Sequence, residues 1–213
     1  MLRLRILTAL VAAPLLLAAP AVIINATPSY ASEQAEQSAL KLVEGLGQKA
    51  VEALANNKLS VEEKREQFSV LVNSNFDMRL IGRFVLGKHW RKANEQEREE
   101  FLDLFNTYII TTYQKRIGEY SGENLKILKA RSLNDKEYIV NSEIIRPAGP
   151  AIKLDWRLRN NKDNELKIID IMVENVSMAL THRDEFSSVI SQNGGKVEGL
   201  LKKLRSHIAE KSS

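Results

Sequence analysis

Four side chains in the last quarter of the sequence could do acid–base or nucleophilic chemistry: Asp170, Glu174, Ser177 and His182. They fall where the last predicted strand gives way to a helix, and such a junction can present an acid, a base and a nucleophile together. The alternative is that Ser177 caps the helix while the acids form surface ion pairs. The spacing favours capping, whereas His182 or Asp170 pointing into an interior cavity would indicate an enzyme.

The rest of the sequence lacks the usual signatures of catalysis and of metal or cofactor binding. It contains no cysteine, no Gly-x-Ser-x-Gly nucleophile motif, no His-Glu-x-x-His zinc motif and no phosphate-binding glycine loop. His89, His182 and His207 are isolated in the sequence and do not have a metal-ligand spacing. We therefore expect a protein that is not an enzyme and that holds neither a metal ion nor a cofactor.

The elements that position these residues are predicted to be helices, then a sheet, then helices again, which is an α+β arrangement. Apolar residues recur every three or four positions from Glu33 to Ala55, and helix-start signals stand at Ser60 and Asn94. Helices are expected over 33–55, from 61 onward, over 77–86, from 94 to 117 with Gly118 as the end, over 181–191 and over 196–209.

Four short runs rich in β-branched residues predict an antiparallel four-stranded sheet, because the turns between them are too short for helical crossovers. These runs are Leu125–Ala130, Tyr138–Ile145, Ala151–Arg159 and Leu166–Val176. The third run alternates, since Leu154 and Trp156 fall on one face while Asp155 and Arg157 fall on the other. Such alternation is typical of a strand with one buried and one solvated face.

Aromatic side chains are concentrated in the helices that precede the sheet, and Phe101, Phe105 and Tyr108 share one helix face. Ordinary core packing explains this pattern. The alternative is that helices and sheet enclose an apolar cavity, a setting in which ligand pockets commonly occur.

The first 31 residues are typical of a cleavable signal peptide. Arg3 and Arg5 precede the uncharged apolar run 6–24, and Ser29 and Ala31 supply the small residues of a cleavage site. We expect cleavage after Ala31, export from the cytoplasm and a single folded domain over 32–213; the alternative is an uncleaved membrane anchor. The chain has a net charge of +4, which falls to near +2 without the two arginines, so a nucleic-acid partner is not indicated.

Four segments, in order, resemble the MlaC family, also called toluene-tolerance auxiliary proteins. They are Asn75-Phe76-Asp77-Met78-Arg79; Val85-Leu86-Gly87-Lys88-His89-Trp90-Arg91; residues 95–101; and residues 170–178 followed by His182-Arg183-Asp184-Glu185-Phe186. The resemblance covers roughly residues 35 to 209. The family usually has glycine where this chain has Asn175, and asparagine tolerates the left-handed backbone that such a turn requires.

The resemblance implies an NTF2-like α+β fold whose N- and C-terminal helices and sheet enclose an apolar pocket. It further implies a periplasmic carrier that hides phospholipid acyl chains in this pocket and maintains outer-membrane lipid asymmetry. The implied partners are an inner-membrane ABC transporter with a lipid-binding ring component and an outer-membrane lipoprotein–porin complex. Burial of each methylene gains about 0.8 kcal/mol, which is why a carrier in water must enclose the chains.

From the helix and strand faces we predict the residues that line the pocket: Phe76, Leu80, Phe84, Phe105, Ile109, Val140, Ile144, Leu154, Trp156, Ile171 and Val173. Arg183 is expected near the mouth, where its guanidinium suits a phosphate, or alternatively in a surface salt bridge with Asp184, Glu185 or Glu174. Three other functions stay open: a carrier of hopanoid-type lipids, an NTF2-like cavity enzyme, and a periplasmic adaptor with a solid core.

Overall fold

The computed structural model describes residues 28–114 and 119–212, and the predicted signal peptide lies almost wholly outside them. The helices before the sheet are α1 (Pro28–Ala55), α2 (Val61–Asn75), α3 (Met78–Leu86), a 3-10 helix (Gly87–Arg91) and α4 (Glu95–Gln114). The strands are β1 (Asn124–Asn134), β2 (Glu137–Ile145), β3 (Ile152–Asn160), β4 (Leu166–Val173) and β5 (Val176–Ser177). Helices α5 (Met178–Gln192) and α6 (Val197–Ser212) follow, and the predicted end of α4 at Gly118 lies outside the described residues.

Local hydrogen bonds fix where the helices start. Ser60 Oγ accepts from the N–H of Glu63 at 3.2 Å, and the Glu63 carboxylate accepts from the N–H of Ser60 at 2.7 Å. Asn94 and Glu97 make the same reciprocal pair at 2.9 Å and 2.9 Å. Both pairs satisfy backbone donors that a helix start leaves without partners, so both predicted helix starts are confirmed.

The sheet is an antiparallel meander in the order β1-β2-β3-β4-β5. The four predicted strands are present, but the expectation of a four-stranded sheet is wrong, because the last run turns back on itself. Glu174 and Asn175 have φ values of 48° and 67°, and this left-handed turn folds Val176–Ser177 against the end of β4 as a fifth strand. Two successive left-handed residues cannot continue an extended strand, which is the physical reason for the difference.

Two hydrophobic cores hold the chain together. One lies between α1 and the inner face of the sheet, where Leu154, Trp156 and Leu158 confirm the inward half of the alternation predicted for β3. Asp155, predicted for the solvated face, is buried. The other lies among α3, α4, α5 and α6 around Phe101, Phe105 and Phe186. We call them the sheet core and the helical core.

The two cores meet at the start of α3. Phe76 packs against both of them, and its backbone bridges to Ile168 of β4. The next residue, Asp77, donates its N–H to the carbonyl of Ile168 at 3.0 Å and accepts from the N–H of Leu80 through its side chain. One short segment therefore caps α3 and ties the helical core to β4.

Candidate functional site

The sheet residues predicted to line a pocket share one face. Val140, Leu154 and Trp156 are buried in the sheet core. Ile144, Ile171 and Val173 pack against this core while staying partly exposed. The pairing of Val140 with Trp156 and of Trp156 with Ile171 places these side chains side by side across three strands.

The predicted helix residues separate into three environments. Phe105 is buried in the helical core, and Phe76 and Ile109 pack against that core while partly exposed. Leu80 is half-buried, whereas Phe84 lies at the surface with 43% of its area exposed. Phe84 therefore belongs to the outer face of α3.

Partly exposed apolar side chains pack against each of the two cores. Leu71, Ile171 and Val173 pack against the sheet core and Met78 packs against the helical core, whereas Phe76 packs against both. We call these five residues the seam. An apolar chain that entered here would contact predicted residues of the sheet, and it would cover apolar surface that is now partly wet.

Two cavities occur elsewhere among the described residues. One of about 330 Å³ lies between α1 and α2 and includes Lys49, Glu52 and Leu71 in its wall. The other, of about 450 Å³, is bordered by α4, α5 and α6 and includes Tyr108 and His207. None of the predicted lining residues borders either cavity, so the assignment of these residues to a lipid pocket stays a prediction.

A buried polar chain inside the sheet core was not predicted. The indole N–H of Trp156 donates to Ser142 Oγ at 2.9 Å, and the Ser142 hydroxyl donates to the carbonyl of Leu154 at 2.6 Å. Ser142 is completely buried. The signal in the sequence is a serine at an inward-facing position of β2 between Val140 and Ile144.

Asp170 and Ser177 act as caps at the start of α5. The Asp170 carboxylate accepts from the hydroxyl of Ser177 at 2.5 Å and from the N–H of Ala179 at 3.0 Å, and Ser177 Oγ accepts from the N–H of Leu180 at 3.0 Å. Ser177 thus caps the helix, as the capping interpretation expected, whereas Asp170 joins the cap and does not form, among the described residues, the surface ion pair expected of it.

His182 lies apart from these caps, in the aromatic packing of the helical core. It is buried, with its ring nitrogens 3.4 Å from the hydroxyl of Tyr113 and 3.3 Å from the carboxylate of Glu185. The ring of Tyr108 packs edge-on against it at a centroid distance of 5.8 Å. Burial, with smaller contributions from Glu185 and Tyr113, raises the pKa of Tyr108 and keeps its hydroxyl neutral.

Arg183 stacks on α3 and does not form the predicted alternative salt bridge. Its guanidinium carbon lies 5.1 Å from the ring centre of Phe84, and a Cβ at Gly87 would lie 3.0 Å from its Nε. Gly87 has a φ of +56°, so glycine suits both its backbone and its close approach to Arg183. Within residues 28–114 and 119–212, Arg183 has no carboxylate within ion-pair distance.

His89 joins the 3-10 helix to α5 beneath this stacked pair. It is buried, and its Nε2 lies 3.3 Å from the hydroxyl of Ser187 while its Nδ1 has no hydrogen-bond partner. Burial lowers the pKa of His89, and the charges of Lys88 and Lys92 lower it further. The imidazole is therefore held neutral, as its packing requires.

Comparison with known proteins decides the family. The model of the family "MlaC protein" matches residues 44–206. The chain belongs to the MlaC family. Curated relatives include the intermembrane phospholipid transport system binding protein MlaC of Haemophilus influenzae, 22% identical over 80% of this chain and 82% of the relative. The toluene tolerance protein ttg2D of Pseudomonas putida is 21% identical over 52% of this chain and 51% of the relative.

A solved structure has a similar fold. A phospholipid-binding protein of Ralstonia solanacearum, solved with a phospholipid, superimposes with a TM-score of 0.72 and 20% identity, over 82% of this chain and 99% of that one. The likeness shows that the helices and the open antiparallel sheet of the described residues are a known α+β arrangement. Among the described residues no helix is long and apolar enough to span a bilayer, and no group of three or more acidic or histidine residues is arranged to hold a metal.

Proposed function

We propose that this protein is a periplasmic phospholipid-binding shuttle, not an enzyme, that carries lipid between an inner-membrane ABC transporter and an outer-membrane lipoprotein–porin complex. The observation that carries the proposal is the fold, because the Ralstonia protein that shares it was solved with a phospholipid. The Haemophilus relative, aligned over most of both chains, has a name that refers to intermembrane phospholipid transport. We take the same lipid class as the cargo here and propose no other cofactor.

We place the acyl chains at the seam. Its residues are apolar, pack against two separate cores and are partly exposed, so a chain that enters between the cores meets apolar side chains, at the cost of the hydrogen bond from the Asp77 N–H to the Ile168 carbonyl. A lipid chain between them would replace water on both sides, and each buried methylene contributes about 0.8 kcal/mol. The predicted residues Ile171 and Val173 would then contact the chain from β4.

We place the lipid phosphate, or the partner that delivers the lipid, at Arg183. Its guanidinium is oriented by Phe84 and Gly87 and has no carboxylate partner among the described residues, so its fork of N–H groups can donate hydrogen bonds to an anion. Arg183→Glu is expected to stay folded and to co-purify with less lipid or to fail in exchange. Arg183→Lys keeps the charge and removes the fork, and it should fall in between. Wild-type lipid content and exchange in Arg183→Glu would rule out this role.

Neighbouring residues of β4 provide a matched test of the seam. Val173 faces the sheet core, whereas Met172 faces the opposite side of the sheet, and both are partly exposed. After purification from cells and organic extraction, Val173→Asn should carry less phospholipid per protein than the wild type, while Met172→Asn should match the wild type. Equal lipid content in all three folded proteins would exclude the inner face of the sheet as the binding site.

A further inference from the structure

A continuous stretch of the chain carries positive charge and contains no acidic residue. Residues 78–94 include Arg79, Arg83, Lys88, Arg91 and Lys92 and contain neither aspartate nor glutamate. Arg79 is neutralised by Glu99 at 2.7 Å. The other four are exposed and form no ion pair within the part of the chain that the structure describes.

Some basic side chains elsewhere on the described surface are paired. On the outer face of the sheet, Arg157 contacts Glu137 at 2.6 Å and Lys153 contacts Asp155 at 3.3 Å. On α6, Arg205 contacts Glu198 at 2.9 Å. The stretch around the 3-10 helix instead places four basic side chains, without ion pairs to any described residue, within ten residues, so its charge is left for an external anion.

Apolar side chains stand among these charges. Phe84 is 43% exposed beneath the guanidinium of Arg183, and Leu180, one helical turn before Arg183 on α5, is 48% exposed. Arg83 lies 6.0 Å from the ring centre of the partly exposed Trp90. Basic residues that surround exposed rings are the composition of proteins that lie in the interfacial layer of a bilayer.

The underlying contacts hold this surface in place. His89 joins the 3-10 helix to α5 through Ser187, and Arg98 donates its Nε–H to the carbonyl of Trp90 at 2.8 Å. Asp184, next to Arg183, offsets one positive charge and leaves a clear excess. The basic and aromatic side chains are therefore in place before the protein binds a partner, so binding requires no folding step.

We infer that this basic-aromatic surface, formed by Arg83, Phe84, Lys88, Arg91, Lys92 and Arg183, adsorbs the protein to bilayers that contain anionic phospholipids. Lysine and arginine near such a bilayer are attracted by its negative surface potential, and an exposed ring inserts among the headgroups. Protein interfaces are also enriched in aromatic and arginine side chains, but they are depleted in lysine, so Lys88 and Lys92 on this surface favour a bilayer over an acidic protein. The inference goes beyond the proposed function, because adsorption does not require a lipid inside the protein.

Vesicle sedimentation tests the inference with the mature chain. The protein should sediment with vesicles of phosphatidylcholine and phosphatidylglycerol, much less with phosphatidylcholine alone, and less as salt is raised. Each neutralised charge should weaken binding about fivefold, so the double variant Lys88→Gln/Lys92→Gln should bind about 25-fold more weakly. The matched control is Lys129→Gln/Lys202→Gln, on β1 and α6, where both lysines are exposed and binding should be unchanged.

Equal binding of the wild type to both vesicle types, or equal loss in the control and the test variant, would overturn the inference. If the wild type does not adsorb but Lys88→Gln/Lys92→Gln loses lipid exchange with a protein partner, the surface belongs to an acidic protein and the inference is wrong. The lipid extracted from the double variant should equal that of the wild type. This readout keeps a failure of adsorption distinct from a failure of the proposed lipid binding.

Discussion

Replacing Ser142 with alanine should destabilise the protein by about 2 kcal/mol, because it leaves the indole N–H of Trp156 without an acceptor. Ser142 is 0% exposed and Trp156 is 8% exposed, so water cannot readily take the place of the hydroxyl. A buried donor left unsatisfied costs about 1–3 kcal/mol. In a domain of this size each kcal/mol lowers Tm by about 2–4 °C, which predicts a fall of roughly 4–8 °C.

Urea unfolding followed by circular dichroism measures this free energy, and a double-mutant cycle isolates the hydrogen bond. In Trp156→Phe the donor is removed together with part of the ring, so adding Ser142→Ala should cost much less than it does in the wild type. Ser142→Thr keeps a hydroxyl and serves as the control. A loss below about 0.5 kcal/mol in Ser142→Ala, or strict additivity with Trp156→Phe, would refute the proposed cost of an unpaired indole.

Three further predictions follow from the backbone, from titration and from the leader. Gly45→Ala should stabilise the protein by about 0.5–1 kcal/mol, since nothing lies within 4 Å of the new Cβ. Gly199→Ala should destabilise it by about 1–3 kcal/mol, since its Cβ would collide with Asn193. Chemical denaturation that shows the same sign for both variants would contradict this. Burial lowers the pKa of His89 below its usual 6.5, so as pH falls the unfolded chain takes up a proton before the folded protein does. The free energy of unfolding should therefore fall as pH drops from about 6.5 toward the folded pKa. His89→Gln should flatten this fall, and an unchanged pH profile would contradict it. The leader fused to a reporter should be exported and cut after Ala31, and an intact N-terminus on a membrane-retained product would contradict this.

Local chemistry made much of the fold predictable from the sequence. The pairs at Ser60 and Asn94 fix helix starts within four residues of chain, so their signal does not depend on distant packing. The inner face of β3 could be predicted because alternating apolar and polar residues indicate which side chains of a strand are buried, as Trp156 and its apolar neighbours on that face show.

Features that join distant segments were not predictable in the same way. Arg183 and Phe84 stack although nearly a hundred positions separate them, and Ser142 meets Trp156 only through the register of β2 and β3. The two cores meet where the segment before α3 pairs with β4 at Phe76 and Ile168, a contact that no periodicity encodes. Strand alternation therefore predicted which sheet residues share one face, whereas Phe84 lies at the surface of α3. The assignment of these residues to a lipid pocket stays a prediction.

Native mass spectrometry of the mature protein purified from its own cells, followed by organic extraction, tests the central claim most directly. We predict a species heavier than the polypeptide by the mass of a phospholipid, with the extract containing that phospholipid, and a reduced proportion of this species in Val173→Asn but not in Met172→Asn. A folded wild-type protein with the mass of the bare polypeptide under these conditions, or an extract that holds a polycyclic hopanoid in place of phospholipid, would contradict the account.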